Sequence, residues 1–404
     1  MRILLLNDYG VPMGGAEVLS FALRDELRKR GHDARLMTTT AGELDAKDCE
    51  EKHEADYRCF GTTTRYRTLL QTVNVWAYRA LQQVLREFRP DVVHVRMFLT
   101  QLSPLILPLL KSVPSLCHVV WYRPVCPVGT KLLPNGHPCR VSPGIACYQN
   151  RCLPLRDWIP LMVQMSLWHQ WKGAFARIIA NSEATKAALV AEGIGPVEVI
   201  WNGVPVNKSK AALAKDPTVV FAGRLTREKG VDVLLRAFGS LRHKVPNAKL
   251  MIAGSGHEQA ALKTLVQDLG LEEAVSMPGR LNRNDLENLS KTAWVQAVPS
   301  RWAEPFGLVA AEAMMQGRAV VASATGGLQE IIEHGRTGFL VPPDDTEALA
   351  EKLSVLLLDQ RLAETMGNAA RSVARIRLSL ARQVDEFVGV YEQLVAGHPT
   401  PAVL

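Results

Sequence analysis

The chain has 404 residues, 47% of them hydrophobic and 22% charged, and carries a net charge of +7. That length is too great for one ordinary core and predicts two domains of about 150–200 residues each, with the composition of a soluble globular protein. No uncharged stretch reaches the ~18–20 apolar residues that a membrane span needs. The short apolar run Ile3–Leu6, closed by Asn7-Asp8, reads as a buried first strand and not as a signal peptide. A cytoplasmic protein is expected, with peripheral attachment to the inner face of a membrane left open.

The charge is unevenly placed. Residues 1–205 hold 24 basic and 18 acidic side chains, residues 206–404 hold 23 and 22, and residues 57–186 alone hold 16 and 4. A single-sign field of this kind attracts anions such as phosphates or lipid headgroups, although cations scattered over several solvated faces give the same count. No helix-turn-helix, zinc-finger or RNA-recognition pattern accompanies it, so nucleic acid is not an expected partner.

Short β-branched runs alternate with amphipathic helical stretches along the whole chain. Ile3–Leu6, Ala34–Thr38, Val92–Val95, Ser115–Val120, Ile178–Ala180 and Glu198–Trp201 read as strands of the first half. Val219–Ala222, Leu250–Ala253, Ala274–Met277, Trp294–Val298, Ala319–Ala322 and Gly338–Val341 repeat the pattern. Runs that are apolar on both faces and separated by helices predict parallel sheets covered on each side. The fold class is therefore α/β, with two doubly wound domains at 1–204 and 218–378 and a polar linker at 205–217. A C-terminal helix over 379–396 is expected to pack back toward the first domain. Two such domains facing each other create a cleft, and ligands bind beyond the carboxyl ends of the strands.

The loops after the strands carry the chemistry. Met13-Gly14-Gly15-Ala16-Glu17 follows the first strand and opens a helix, its glycines permitting close backbone approach to a bound group. His94 and His118 lie on strands, where a lone His is more often a packed core residue than a catalyst. Residues 121–153 form an insertion in which Cys126, Cys139, Cys147 and Cys152 stand amid Pro and Gly. Their separations lack the paired Cys-x-x-Cys knuckle of a zinc site, so zinc and free thiols both stay open. Leu153–Phe175 mixes Trp158, Trp168 and Trp171 with Arg156, His169 and Lys172; core packing and an interfacial helix are the two readings.

In the second half, Gly223-Arg224-Leu225-Thr226-Arg227-Glu228-Lys229-Gly230 leads from a strand into a helix. Two cations beside the free N–H groups of a helix N-terminus suit a diphosphate. Pro299–Leu308 then places Glu304 ahead of a helix and Glu312 about two turns into it, within an apolar run where a carboxylate needs partners. Thr325-Gly326-Gly327 again precedes a helix.

Residues 217–343 resemble the group 1 retaining glycosyltransferases. The likeness lies in Phe221-Ala222-Gly223-Arg224-Leu225 with Lys229-Gly230, in Ile252-Ala253-Gly254-Ser255-Gly256, and in Glu304-Pro305-Phe306-Gly307-Leu308 with Glu312-Ala313. It continues in Gly326-Gly327, Glu330-Ile331 and Gly335-Arg336-Thr337-Gly338. The resemblance implies the GT-B fold, two facing Rossmann-like domains with the donor site in the second. It implies that Arg224 and Lys229 neutralise the donor diphosphate and that Glu304 contacts the donor sugar. Glu312 would bind the ribose hydroxyls, Phe306, Gly307 and Leu308 would offer N–H groups, and Arg280-Leu281 would hold the base through backbone atoms. Gly15 would face the donor phosphates. His118 matches a strand-end His of the family and is thereby a candidate catalytic residue, although the family often has Asp after it where this chain has Val119.

The implied reaction is metal-independent hexosyl transfer, with retention, from a nucleotide-diphosphate sugar to a carbohydrate, lipid-linked or small-molecule hydroxyl, in polysaccharide, lipid-linked glycan or glycoside synthesis. No cofactor is expected, and the Asp-x-Asp pattern that holds a metal in the other large glycosyltransferase fold is missing from the sequence. A sugar-nucleotide epimerase, a phosphorylase and a non-catalytic nucleotide-sugar or membrane binder remain the rival readings.

Overall fold

In the computed structural model, residues 1–11, 14–42, 54–64, 66–206 and 211–397 are described. They form two compact units, Met1–Trp201 with Gln383 onward, and Asn202–Arg382. The first contains β1 (Arg2–Tyr9), α1 (Gly15–Lys29), β2 (Asp33–Thr39), β3 (Tyr57–Cys59), α2 (Arg67–Thr72), α3 (Val75–Phe88), β4 (Val92–Val95) and β5 (Ser115–Val119). It continues through α4 (Ile145–Gln149), α5 (Leu155–Trp171), β6 (Arg177–Ala180), α6 (Glu183–Ala191) and β7 (Val197–Val199). All its strand pairs are parallel, in the order β3-β2-β1-β4-β5-β6-β7.

The second unit opens with β8 (Thr218–Ala222), α7 (Val231–Leu241), β9 (Lys249–Ala253), α8 (Gln259–Asp268), β10 (Val275–Gly279) and α9 (Arg283–Thr292). There follow β11 (Val295–Val298), α10 (Leu308–Met315), β12 (Ala319–Ser323), α11 (Leu328–Ile331), β13 (Gly338–Val341), α12 (Thr346–Leu358) and α13 (Gln360–Arg377). Its parallel strands run β10-β9-β8-β11-β12-β13. The last helix, α14 (Leu380–Ala396), begins in the second unit and continues into residues of the first.

Each strand read from the sequence has a counterpart, and the interior strands are largely apolar because helices cover both faces of the sheet. Ile3–Leu6 of β1 and Ala319–Ala322 of β12 are buried at every position. The strand that escaped notice, β3, has three residues and sits at the edge, too short to show a period. Helices start where a side chain caps the first turn: Asn74, Ser182, Asn282, Asp345 and Asp359 each accept a backbone N–H three residues on. Each such cap is worth about 1 kcal/mol.

Residues 211–217, taken as linker, are held by the second unit instead. Arg318 donates to the Ala211 carbonyl at 2.6 Å, and Trp294 donates through Nε1 to that of Ala214 at 2.8 Å. Residues 207–210 lie outside the described residues.

In each sheet the strand order reverses once, between β1 and β4 and between β8 and β11. Loops leaving adjacent strand ends there diverge to opposite faces and open a crevice. In the first unit that point is fixed by Asp8. Its buried carboxylate accepts the N–H groups of Thr100, Gln101 and Leu102 at 2.9, 2.8 and 2.8 Å, and the Thr100 hydroxyl at 2.6 Å. Burial pushes the Asp8 carboxyl above its ordinary value against the pull of these donors.

β5 is an interior strand, and His118 lies within it, wholly buried, not beyond a sheet edge. Its ring packs 4.9 Å from that of Phe387 on α14, and His94 meets the Tyr391 hydroxyl through Nδ1 at 2.6 Å. Burial first, and then the Arg96 charge, hold both imidazoles well below their usual value. Replacing Asp8 by Ala should lower stability by about 3 kcal/mol or more, because an orphaned buried donor costs about 1–3 kcal/mol. A fall in the urea midpoint checks this; an unchanged midpoint would show that water satisfies these donors.

Candidate active site

The second unit gathers charged groups where its strand order turns back. The loop after β8 ends in Lys229 and Gly230; the loop after β11 carries Ser300, Arg301, Trp302 and Glu304. Gly230 has φ +65, and a Cβ there would overlap the Pro299 carbonyl oxygen, so the two loops touch backbone to backbone. Gly326, with φ +56 in the loop after β12, likewise leaves no room for a Cβ against the Glu304 backbone. The Gly327 N–H donates to the Glu304 carbonyl at 2.8 Å.

These close approaches bring Lys229 Nζ to 2.6 Å from Glu304 Oε1, which also accepts the Ser300 hydroxyl at 2.6 Å. Glu304 is 6% exposed. Burial alone would raise its carboxyl, but the Lys229 ammonium and the Ser300 hydroxyl outweigh that and hold it below the usual carboxylate value. Lys229 also lies 5.1 Å from the centroid of the Trp302 ring, a cation–π distance. Arg224 stands apart: its side chain is 64% exposed, with the Glu228 carboxylate 3.6 Å away.

Glu312 is partly buried on α10, and burial raises its carboxyl; the Arg283 charge opposes that shift, while Glu287 adds to it. Both neighbours belong to α9, which follows the loop holding exposed Arg280 and half-buried Leu281. Phe306 is buried, Gly307 caps α10, and Leu308 opens it, so first-turn N–H groups without helical partners emerge there. In the first unit, exposed Gly15 starts α1 after the extended Gly14, and Met13 lies outside the described residues.

Arg301, Asp232 and Ser300 take part without having been picked out from the sequence. Arg301 donates to both Asp232 oxygens at 2.7 and 2.9 Å, pairs with Asp344, and donates its backbone N–H to the Glu228 carbonyl at 2.8 Å. An acid in the first turn of the helix after a cationic loop was the available signal, but helix-dipole preference explains such an acid equally well.

Among the described residues no group of three or more His, Cys, Asp or Glu side chains could hold a metal ion. Cys126, Cys139, Cys147 and Cys152 are free thiols, the first and third buried. On helix α5, Leu161, Met165 and Trp168 are core, as the packing reading expects, while Leu155, Ile159 and Val163 are exposed.

Residues 205–373 match the family model described as glycosyl transferases group 1, and residues 13–208 match that of glycosyltransferase family 4. The chain belongs to the group 1 glycosyltransferases. It is 35% identical over 221 residues to an uncharacterized glycosyltransferase of Methanocaldococcus jannaschii, a match covering 53% of this chain and 56% of that one. The chain spans about half the length of the curated relatives it matches. Sucrose-phosphate synthase of Thermosynechococcus elongatus superposes with a TM-score of 0.75 at 24% identity, over 98% of this chain and 99% of that one. Anabaena HepE, solved in complex with UDP, gives 0.70 at 22%, over 97% and 100%. The fold of this group 1 glycosyltransferase is GT-B.

Lys229→Ala should reverse the pH dependence of stability at this glycosyltransferase's ion pair. In the wild type, a Glu304 carboxyl held low contributes stability that is complete above its unfolded value of about 4.3 and lost as pH falls through the folded value. Without the ammonium, the buried carboxylate costs about 3–5 kcal/mol and relieves that cost by taking up a proton. The variant should therefore gain thermal stability relative to wild type as pH is lowered from neutral toward 5. Parallel melting curves of the two proteins would mean that the ion pair is not formed in solution.

Proposed function

We propose that the chain transfers a hexose, with retention of anomeric configuration, from a nucleotide-diphosphate sugar to an acceptor hydroxyl. The observation that carries this reading is the Lys229–Glu304 pair, 2.6 Å apart on loops that flank the reversal of strand order, beside the α10 N-terminus. As the bond from anomeric carbon to phosphate oxygen lengthens, negative charge gathers on the leaving diphosphate and positive charge on the sugar ring. Arg224, Lys229 and the first-turn N–H groups of α10 stabilise the former. Glu304 orients the sugar, Glu312 takes the ribose hydroxyls, and the loop of Arg280 and Leu281 frames the base. The acceptor proton leaves with the diphosphate, so no protein base is required. The Lys229 ammonium, held by Glu304, and the exposed Arg224 guanidinium supply the neutralisation that a metal ion provides elsewhere. The UDP complex of the structurally similar Anabaena protein supports a nucleotide donor, and the acceptor is assigned to the first unit, in polysaccharide, lipid-linked glycan or glycoside synthesis.

A thermal-shift screen with UDP-, GDP- and ADP-sugars should single out one donor, since a ligand at about 100 Kd adds about 2.7 kcal/mol of stability. With that donor, Lys229→Ala and Glu304→Gln should each lower kcat by about 100–1,000-fold, and chelator should leave the wild-type rate unchanged. Inverted product on NMR would overturn the stereochemistry. Conversion of the donor without acceptor would assign an epimerase, and no turnover with any donor would assign a binder.

A further inference from the structure

The first unit carries an apolar face that its own core does not cover. Among the described residues, 13 of the 19 exposed large hydrophobic side chains fall between Phe60 and Val163. Six lie in 60–76, around α2, and five in 145–163, on α4 and α5. The two stretches form one surface: Thr72 donates to the Pro160 carbonyl and Thr68 to Asp157 Oδ1, each at 2.9 Å. Between them runs a groove of about 580 Å³ lined by Phe60, Leu69, Leu70, Val73, Trp76 and Val163. Leu69 is 64% exposed, and Trp76, whose ring meets that of Phe60 edge-on at 5.2 Å, is 57% exposed. Soluble monomers rarely leave contiguous apolar patches beyond a few hundred Å² uncovered.

The charge along these stretches is predominantly positive. No Asp or Glu occurs from residue 58 through 86 or from 92 through 156, whereas Arg67, Arg79, Arg140, Arg151 and Arg156 are exposed there. The carboxylate of the next acidic residue, Asp157, is engaged by Thr68 and by Arg156. Exposed aliphatic and aromatic side chains accompanied by mainly cationic neighbours match the layered chemistry of a bilayer surface, apolar beneath and anionic above. Nucleic acid would use the cations but leave the groove unfilled.

We propose that the α2–α4–α5 face docks on a bilayer containing anionic phospholipid. The guanidinium groups meet the headgroups, and Leu69, Trp76, Leu155 and Ile159 enter the acyl boundary. This docking stands independently of the donor chemistry, and vesicle binding reads it without activity.

The test is co-sedimentation of the full chain with phosphatidylcholine vesicles and with mixed phosphatidylcholine–phosphatidylglycerol vesicles. Binding to the mixed vesicles should exceed binding to the neutral ones by about tenfold or more, and should weaken in about 1 M salt, where the Debye length is about 3 Å. The double variant Leu69→Ser, Ile159→Ser should bind the mixed vesicles about tenfold more weakly, since two buried large aliphatic side chains are lost from the membrane. Ile376→Ser, at an exposed apolar position of the second unit, should bind as wild type does. All variants change exposed side chains, and matching melting temperatures exclude misfolding. Equal sedimentation of wild type and double variant, or equal binding to neutral and mixed vesicles, would overturn the proposal. A dimer abolished by the double variant, together with no vesicle binding, would give the face to a second copy of the chain and also overturn it.

Discussion

A single ion pair organises the second unit: Lys229 and Glu304, whose side chains are 19% and 8% exposed. Removing a carboxylate from water costs several kcal/mol unless a partner compensates, and breaking such a pair costs more than the pair itself contributes. The interaction therefore acts as a constraint. It requires loops 75 residues apart in sequence to hold one geometry. An ammonium has three donors, and Glu304 takes one of them, leaving Lys229 able to address a second anion without moving. Lys229 is held in place by its carboxylate partner, whereas the Arg224 side chain is 64% exposed.

What holds that geometry is a second layer of contacts farther from the pair. Arg301 grips Asp232 with two parallel N–H donors, pairs with Asp344, and donates to the Arg227 carbonyl at 3.0 Å, so the loop after β11 is tied to the start of α7 and to the loop before it. Its hydrogen bonds with Asp232 raise the guanidinium further above its ordinary value, while the same contact helps hold the Asp232 carboxyl low against burial. Bidentate guanidinium–carboxylate geometry fixes orientation as well as distance. Preorganised charge of this sort needs no rearrangement when charge develops on a ligand.

The strands were legible because burial on both faces removes all ambiguity of period, and the cationic and acidic loops were legible because they follow strands and precede helices. Three things were not. The edge strand β3 has too few residues to carry a pattern. Arg301 and Asp232 meet across 69 positions, and nothing local distinguishes them from other charged loop residues. His118 sits in β5 beneath a helix from the far end of the chain, and only the position of Phe387 on α14 reveals that its ring is packed core. Pattern along the chain reports local geometry; contacts between distant segments leave no trace in it.

The two units share the strand order of a doubly wound sheet, yet their surfaces differ, so topology does not account for the difference. It arises in what the first unit adds around β5. Arg123, just after that strand, is 5% exposed and donates to Gln71 of α2 at 2.9 Å and to Gln164 of α5 at 3.2 Å. Burial lowers this guanidinium to about 10, and amide oxygens, not a carboxylate, receive it. Gln164 in turn donates to the Leu99 carbonyl at 2.9 Å, in the loop that Asp8 holds. The exposed apolar face is thus fastened through neutral amides to the rigid end of the sheet. A fixed face loses little conformational freedom when it is covered, and that is the condition under which modest apolar area and a few cations suffice for binding.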